Sequence, residues 1–334
     1  MQHSFFEVDD CYNRLDKAGD PLLKLSEMIN WKSLLPLIKS IHFKGTAKGG
    51  RPGIGPLIII KCILLQSLYN ISDDSCEYQI NDRLSFKRFI GLSTSQKAPD
   101  AKTIWLYKER IKWKKLHDKI FNWFDAQIEA AGYTAQEGQI VDASFVPTHK
   151  PTGKHKKQLK EEIPLTKAQS SQIDNDATFT KKNEKTFHGY KNHIQIDNKH
   201  KLIRQQITTT ASLHDSQEFE NLVDENNDSP DTWADSAYRS AEIEEMLKKK
   251  NLNSKVHERA YRNNLLSKEQ KANNTVKSKT RVRVEHIFGH MVTSMGGVII
   301  HTIGIARAEV KVTFKNIAYN MQRFIFLESK RLTG

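Results

Sequence analysis

The chain has 334 residues, 38% of them hydrophobic, and carries 52 Lys or Arg against 39 Asp or Glu, a net charge of +13 at pH 7. That length suffices for one large domain or two ordinary ones, and the apolar content excludes a wholly disordered chain. The positive excess favours a polyanionic partner, nucleic acid first and an anionic membrane surface second. From the N-terminus, "PLLKLSEMINWKSLLPLI" spaces its apolar residues as a helix does, and "PLIIIKCILLQSLY" opens a second helix after the loop "GGRPGIGP". Ser72 or Asp73 suits the N-cap of a short third helix. The stretch from Lys97 to Gly132 reads as a cap followed by one long amphipathic helix, with seven Lys/Arg between 102 and 119 against Glu109 and Asp118.

After Gly132 the texture changes to strands: "GQIVDASFV", "HGYKNHIQIDNK", "LIRQQITTTA" and "DTWADSAY", the middle two joined by a turn near Asn198 and Lys199. A short helix follows His214, where Asp215 and Glu218 fit a capping box; another starts near Ser240, and two more cover about 280–292 and 306–329. Residues 149–186 are polar and Lys-rich without periodicity and read as a long loop or a partly disordered arm. The class is α+β, with a helical domain over 1–132 and a strand-containing domain over 133–334.

Two partner classes recede on inspection. The longest apolar run is broken by Lys61 and too short for a bilayer, and "MQHSFFEVDD" lacks the basic start and apolar core of a signal peptide. Cys11, Cys62 and Cys76 show no CxxC spacing, so neither a disulfide framework nor a zinc knuckle is expected, and a reduced, intracellular, soluble protein is. His188 and His193 lack the further ligands a zinc site needs. Charge concentrates between Met246 and Arg283, where 12 Lys or Arg face only Glu258 and Glu269. So local a bias favours a binding surface.

Three acids lie among apolar residues. Asp142 interrupts Ile140, Val141, Ala143 and Phe145; Asp235 follows Trp233 and Ala234; Glu285 sits on a helical pattern with Val284, Ile287, Phe288 and Met291. Brought together by folding, they would repel unless hard cations, which prefer oxygen ligands, neutralised them. Acids at strand ends are also commonly solvated or salt-bridged, so spacing alone leaves both readings open. Arg281, one turn before Glu285, is placed to orient that carboxylate or to contact a phosphate.

The words around these acids, "IVDAS", "WADSAYRS" and "RVRVEHIFGH", resemble the three catalytic blocks of DDE transposases of the IS4/IS5 kind, most closely the IS5 family. "GRPGIGPLIIIKCILLQSLYNISDDSCEYQINDRLSFKRFIGL", "APDAKTIWLYKERI" and "FHGYKNHIQID" resemble that family's helical module, the helix start after it and the strand after the first block. In family order, these blocks cover about 20–325. The resemblance implies an RNase H-like mixed five-stranded sheet flanked by helices, with Asp142 on the first strand, Asp235 near the end of the fourth and Glu285 on a later helix. It implies two Mg²⁺ or Mn²⁺ ions held by Asp142, Asp235 and Glu285, and a cytoplasmic, nucleoid-associated bacterial enzyme. Such an enzyme cuts insertion-sequence ends to expose 3′-hydroxyls and joins them to target DNA. It also implies contact with double-stranded DNA at terminal inverted repeats and target, and a homodimer on DNA.

The fit departs from the family at one signature. Around Glu285 the Tyr-x₂-Arg-x₃-Glu-x₆-Lys pattern keeps Arg281 and Glu285, but Ser278 stands for Tyr and Val292 for Lys. Arg283, Lys277 or Lys279 are candidates to substitute. Lys191, His193, Tyr238, Arg239, Arg281 and Arg283 are the expected DNA contacts, with the Lys-rich loop adding nonspecific phosphate contact and Pro99–Lys119 reading the repeats or, through Trp105, Leu106 and Trp113, joining a dimer. A nuclease of the same fold without strand transfer, and a noncatalytic DNA-binding repressor from a decayed element, are the alternatives.

Overall fold

The computed structural model describes residues 7–42, 53–151, 157, 161, 163, 164, 166–170, 172–182, 184–261 and 265–333. Two compact units emerge, one of residues 1–131 with 317–334, the other of 132–316. The sequence reading ran its second domain to 334, whereas the last part of the C-terminal helix groups with the first unit.

The first unit is helical: α1 Glu7–Lys17, α2 Pro21–Met28, α3 Leu35–Ile38, α4 Pro56–Tyr69, α5 Asp73–Asp82, α6 Leu84–Ile90, α7 Ala101–Trp113 and α8 Leu116–Ala130. Helix α4 is apolar all round, and Ile59, Ile60, Cys62, Leu64 and Leu65 are all buried, so it forms the centre of this unit. Lys61 is the exception on that helix. Its ammonium donates to the Phe89 carbonyl at 2.7 Å and lies 4.7 Å from the Trp31 ring centroid, and burial lowers its pKa to about 8. Ser72 caps α5 by accepting from the Ser75 N–H, as expected.

The single long helix expected after Lys97 is two helices, broken at Lys114 and Lys115, the latter in the left-handed region with φ 48°. The apolar phase accounts for this. Ile104, Tyr107 and Ile111 line the buried stripe of α7, but the next buried residues, Leu116, His117, Ile120 and Phe121, would fall on roughly the opposite side of a continued helix. An unbroken helix would turn one stripe to solvent, so the break resets the phase.

The second unit is built on a six-stranded sheet of β1 Gln139–Pro147, β2 Thr178–Lys182, β3 Lys185–Asp197, β4 Ile203–Thr210, β5 Asp231–Trp233 and β6 Asn253–Ser254. Strand order is β2-β3-β1-β5-β6 with β4 paired to β3. The β1–β3, β3–β4 and β2–β3 ladders are antiparallel, while β1–β5 and β5–β6 are parallel. Without β2 this is the mixed five-stranded sheet that the resemblance implies, with Asp142 on its first strand and Asp235 just past its fourth. Among the helices here are α9 Lys167–Ser170, α10 Phe219–Leu222, α11 Ala241–Lys249 and α12 Lys268–Thr293, and α13 Ile305–Thr333 begins here.

Alternation along β1 feeds two cores. Val141 packs with Phe219, Tyr238, Ile243 and Leu247, and Val146 with Tyr190, Ile300, Ala308 and Val312. Entry to β1 depends on Gly138, whose φ is 80° and where a Cβ would lie 2.4 Å from the Asp231 carbonyl oxygen.

Residues 149–186 do not form the unbroken loop expected. Strand β2 pairs with the start of β3, and the segment before it is pinned: the Asp174 carboxylate accepts from the Tyr190 hydroxyl at 2.7 Å, and Asp176 accepts from the Ile305 N–H at 2.9 Å, at the start of α13. The short, lysine-ended "TFTKK" hides its strand character in the way edge strands do. Lys154, Lys156 and Lys160 of the Lys-rich expectation lie outside the described residues, as does the first half of "GGRPGIGP".

Candidate functional site

Parallel pairing of β1 with β5 sets two of the acids. Ile140 is opposite Trp233, and Asp142 and Asp235 each follow two residues later, the first on β1 and the second just past the end of β5. Adjacent strands lie about 4.8 Å apart, so the ladder delivers both acids to one edge of the sheet. Asp235 then caps the 3₁₀ turn Ser236–Tyr238, accepting the Ala237 N–H at 2.7 Å. Asp142 is half-buried and one of its oxygens accepts the Ala143 N–H at 2.8 Å.

Glu285 arrives on α12, which buries Val284, Ile287 and Met291. One turn earlier on that helix, Arg281 donates to Asp142 at 3.0 Å through one terminal nitrogen and to Glu285 through the other. Arg281 therefore links two of the three acids. Among the described residues, no three His, Cys, Asp or Glu side chains gather as they would around a metal ion. The guanidinium fills the space between Asp142 and Glu285, and Asp235 is turned to its own backbone. The donor set nevertheless suits a hard divalent cation: the acids offer only oxygen, and two of them already share a positive charge.

Sequence reasoning missed a group beside the acids. His257 donates its backbone N–H to the Ala234 carbonyl at 3.1 Å, and its ring stands 3.4 Å from the Ser278 hydroxyl. Burial, then Arg281 and Lys277, lower its pKa, so the ring is neutral at pH 7. Next to it, the Glu258 carboxylate lies 3.1 Å from Arg239 and 3.5 Å from Lys277. The available signal was composition: Glu258 is one of two acids in the most basic part of the chain.

Several expected DNA contacts are placed otherwise. His193 is fully buried, its Nε2 2.7 Å from the Thr209 hydroxyl, and burial lowers its pKa to about 4. Lys191 is buried, donating to the Leu213 carbonyl at 2.6 Å and to Asp215 at 2.7 Å. Tyr238 is fully buried in the core behind β1, and burial foremost, then Asp142, raises its pKa. None of the three offers a surface to DNA: β3 is covered at Lys191 and His193, and Tyr238, on the turn after β5, is packed into the core. Arg283 donates to the carbonyl and side chain of Asn198 at 2.9 and 2.7 Å, tying α12 to the β3–β4 turn. Arg239 also donates to Glu244 at 2.8 Å. Asp215 is no capping residue: His214 caps that turn, and Asp215 neutralises Lys191. Ser278 bonds the Asn274 carbonyl at 2.8 Å, and Val292 is exposed.

A transposase DDE domain matches residues 133–321, spanning the sheet, all three acids and Arg281. The chain belongs to the DDE transposase family. A second transposase domain, DUF772, matches residues 9–110 of the helical unit. No solved structure matches the chain. This transposase is accordingly a metal-dependent, nucleic-acid-processing enzyme that binds DNA and acts in transposition. The +13 charge of this transposase suits that partner. Among the described residues, no helix of this transposase is long and apolar enough to cross a membrane.

Proposed function

We propose that this transposase, of the IS5 kind, cleaves the ends of an insertion sequence and joins the freed 3′-hydroxyls to target DNA, with Asp142, Asp235 and Glu285 as its catalytic acids. The observation that carries this reading is the shared edge: Asp142 and Asp235 stand two residues beyond one parallel pair, and Arg281 ties Asp142 to Glu285. Asp142, Asp235 and Glu285 would hold two Mg²⁺ or Mn²⁺ ions. Bound there, the ions would supply Lewis-acid stabilisation of the attacking and leaving oxygens of an in-line displacement.

The chain's own residues set the geometry. β1 fixes the Asp142 backbone opposite Ile194 of β3, two residues past the end of the β1–β5 ladder, and the Ala143 N–H orients one carboxylate oxygen. The cap on Ser236–Tyr238 orients Asp235, and α12 brings Glu285 from the buried stripe of Val284 and Ile287. Near them, Arg239, Lys277 and Arg281 offer positive charge to a phosphodiester backbone. The helical unit over 1–132 reads the terminal inverted repeats, and two chains pair on DNA to hold two element ends, with Trp105 and Trp113 exposed on α7 for either task.

The test is cleavage of a labelled duplex carrying the element's own end, with Mg²⁺ or Mn²⁺, by the intact chain and by Asp142→Ala. Metal-dependent nicking at the element boundary that vanishes in the variant is expected, followed by joining to a target duplex. Nicking without joining points to a nuclease of the same fold. Binding of the end without any cutting by the intact chain overturns the catalytic assignment in favour of a DNA-binding repressor.

A further inference from the structure

Arg281 engages both Asp142 and Glu285, and the two contacts differ in origin. The pairing with Glu285 is local, four residues along one helix, a spacing that places the side chains on one face. The bond to Asp142 spans 139 positions of sequence and exists only because α12 lies along β1. The side chain of Asp142 is only 15% exposed, so a lone carboxylate there would be poorly solvated. A guanidinium spreads its donors in a planar fork and keeps its charge at every physiological pH, so it can serve two carboxylates at once. Its Nε is buried without a hydrogen-bond partner among the described residues. The pose of Arg281 therefore satisfies the two acids and leaves its own third donor position unmet.

We infer that Arg281 is the resident cation of the unloaded site, held between Asp142 and Glu285, and that a divalent ion is loaded by exchange with its guanidinium. The inference rests on the assignment of these acids to metal in the proposed function. The exchange makes metal affinity smaller than the acids alone would give, because each loading event must break two charge-assisted hydrogen bonds. It also keeps Asp142 compensated at all times, first by Arg281 and then by metal. Lys277, one turn earlier on α12, is the natural comparison: it carries the same charge but contacts Glu258 and the Val256 carbonyl.

The experiment measures Mn²⁺ binding by calorimetry, and thermal melting with and without Mn²⁺, on the full chain, Arg281→Gln, Arg281→Lys and Lys277→Gln. Arg281→Gln should bind Mn²⁺ more tightly by roughly five- to thirtyfold, the equivalent of a partly exposed two-armed ion pair. Its metal-free melting temperature should fall, and its rise on adding Mn²⁺ should exceed that of the intact chain. Arg281→Lys, which keeps the charge but cannot fork, should lie between, and Lys277→Gln should change affinity less than about twofold. Unchanged or weaker Mn²⁺ binding by Arg281→Gln overturns the exchange, as does equal tightening by Lys277→Gln. Where the intact chain binds Mn²⁺ and Asp142→Asn abolishes that binding, the metal assignment stands, and either of those two results sinks the exchange alone. If no form binds Mn²⁺, the metal assignment falls with it.

Discussion

The backbone N–H of Glu258 donates to the Asn274 side chain at 2.9 Å, and Asn274 returns a hydrogen bond to the Glu258 carbonyl at 3.0 Å. This two-way clasp fixes the one carboxylate that stands between Arg239 and Lys277. Glu258 thus restrains positive charge that would otherwise be available to a phosphate.

Replacing Glu258 with Gln should tighten binding to nonspecific duplex DNA and steepen its salt dependence. Freeing one or two cations corresponds to a change of about 1–2 in the slope of log K against log salt. Fluorescence anisotropy across a salt series measures that slope. An unchanged slope would show that Arg239 and Lys277 are not offered to DNA.

Stability should fall in acid because of His193. Its folded pKa is lowered from 6.5 to about 4, by burial above all and by Lys191, with Asp215 and Glu218 opposing. Above pH 6.5 the imidazole is neutral in both the folded and the unfolded chain, so its titration contributes nothing there. Below that, only the unfolded chain takes the proton, so stability declines between pH 6.5 and about 4, by at most about 3 kcal/mol. Urea unfolding at pH 7 and pH 5 should show the decline, and His193→Gln should flatten it. An equal decline in the variant would assign the effect to other groups.

Gly138→Ala should be far more damaging than Gly91→Ala, although both glycines have positive φ. At Gly138 a Cβ would meet the Asp231 carbonyl oxygen at 2.4 Å and the Trp233 ring at 2.6 Å; at Gly91 nothing lies within 4 Å. Strain alone costs about 1–3 kcal/mol at either place, and the clash at Gly138 adds displacement of β5, on which Asp235 depends. Thermal melts rank the two, and equal losses would refute the argument from contact.

Asp197 and Arg204 form an ion pair at 3.1 Å with side chains 0% and 3% exposed, at the base of the β3–β4 hairpin. Removing one partner from such a pair strands the other charge, at a cost of about 3–5 kcal/mol. Arg204→Met should therefore lower unfolding free energy by that order in urea titration, and the double change Asp197→Leu with Arg204→Met should recover part of it. No recovery would mean that Arg204 acts mainly through the Tyr133 carbonyl, to which it also donates.

Much of the sheet was legible from the chain alone, because β1, β3 and β4 are rich in β-branched and aromatic residues and bounded by turn residues. Strand β2 was not, since five residues with two lysines carry too little periodicity, and its partner decides the matter. Asp142, Asp235 and Glu285 stood out because each breaks an apolar pattern. What joins them did not: the Arg281–Asp142 bond depends on the approach of α12 to β1, which no local pattern encodes. Lys191 and His193 were expected to contact DNA, but both faces of β3 are covered there, and only the packed unit shows this. The break at Lys115 was legible in principle, in the change of phase between the apolar stripe ending at Ile111 and the one starting at Leu116.

The grouping of residues 317–334 with the first unit bears on the order in which the chain matures. Phe324 packs edge-on against Phe124 with ring centroids 6.1 Å apart, and Arg331 donates to the Ala131 carbonyl at 3.3 Å. A nascent chain emerging from the ribosome therefore presents α1–α8 long before the helix segment that completes their packing has been made. The sheet-bearing unit, contiguous from 132 to 316, can close during synthesis, while the helical one stays open until translation has reached α13.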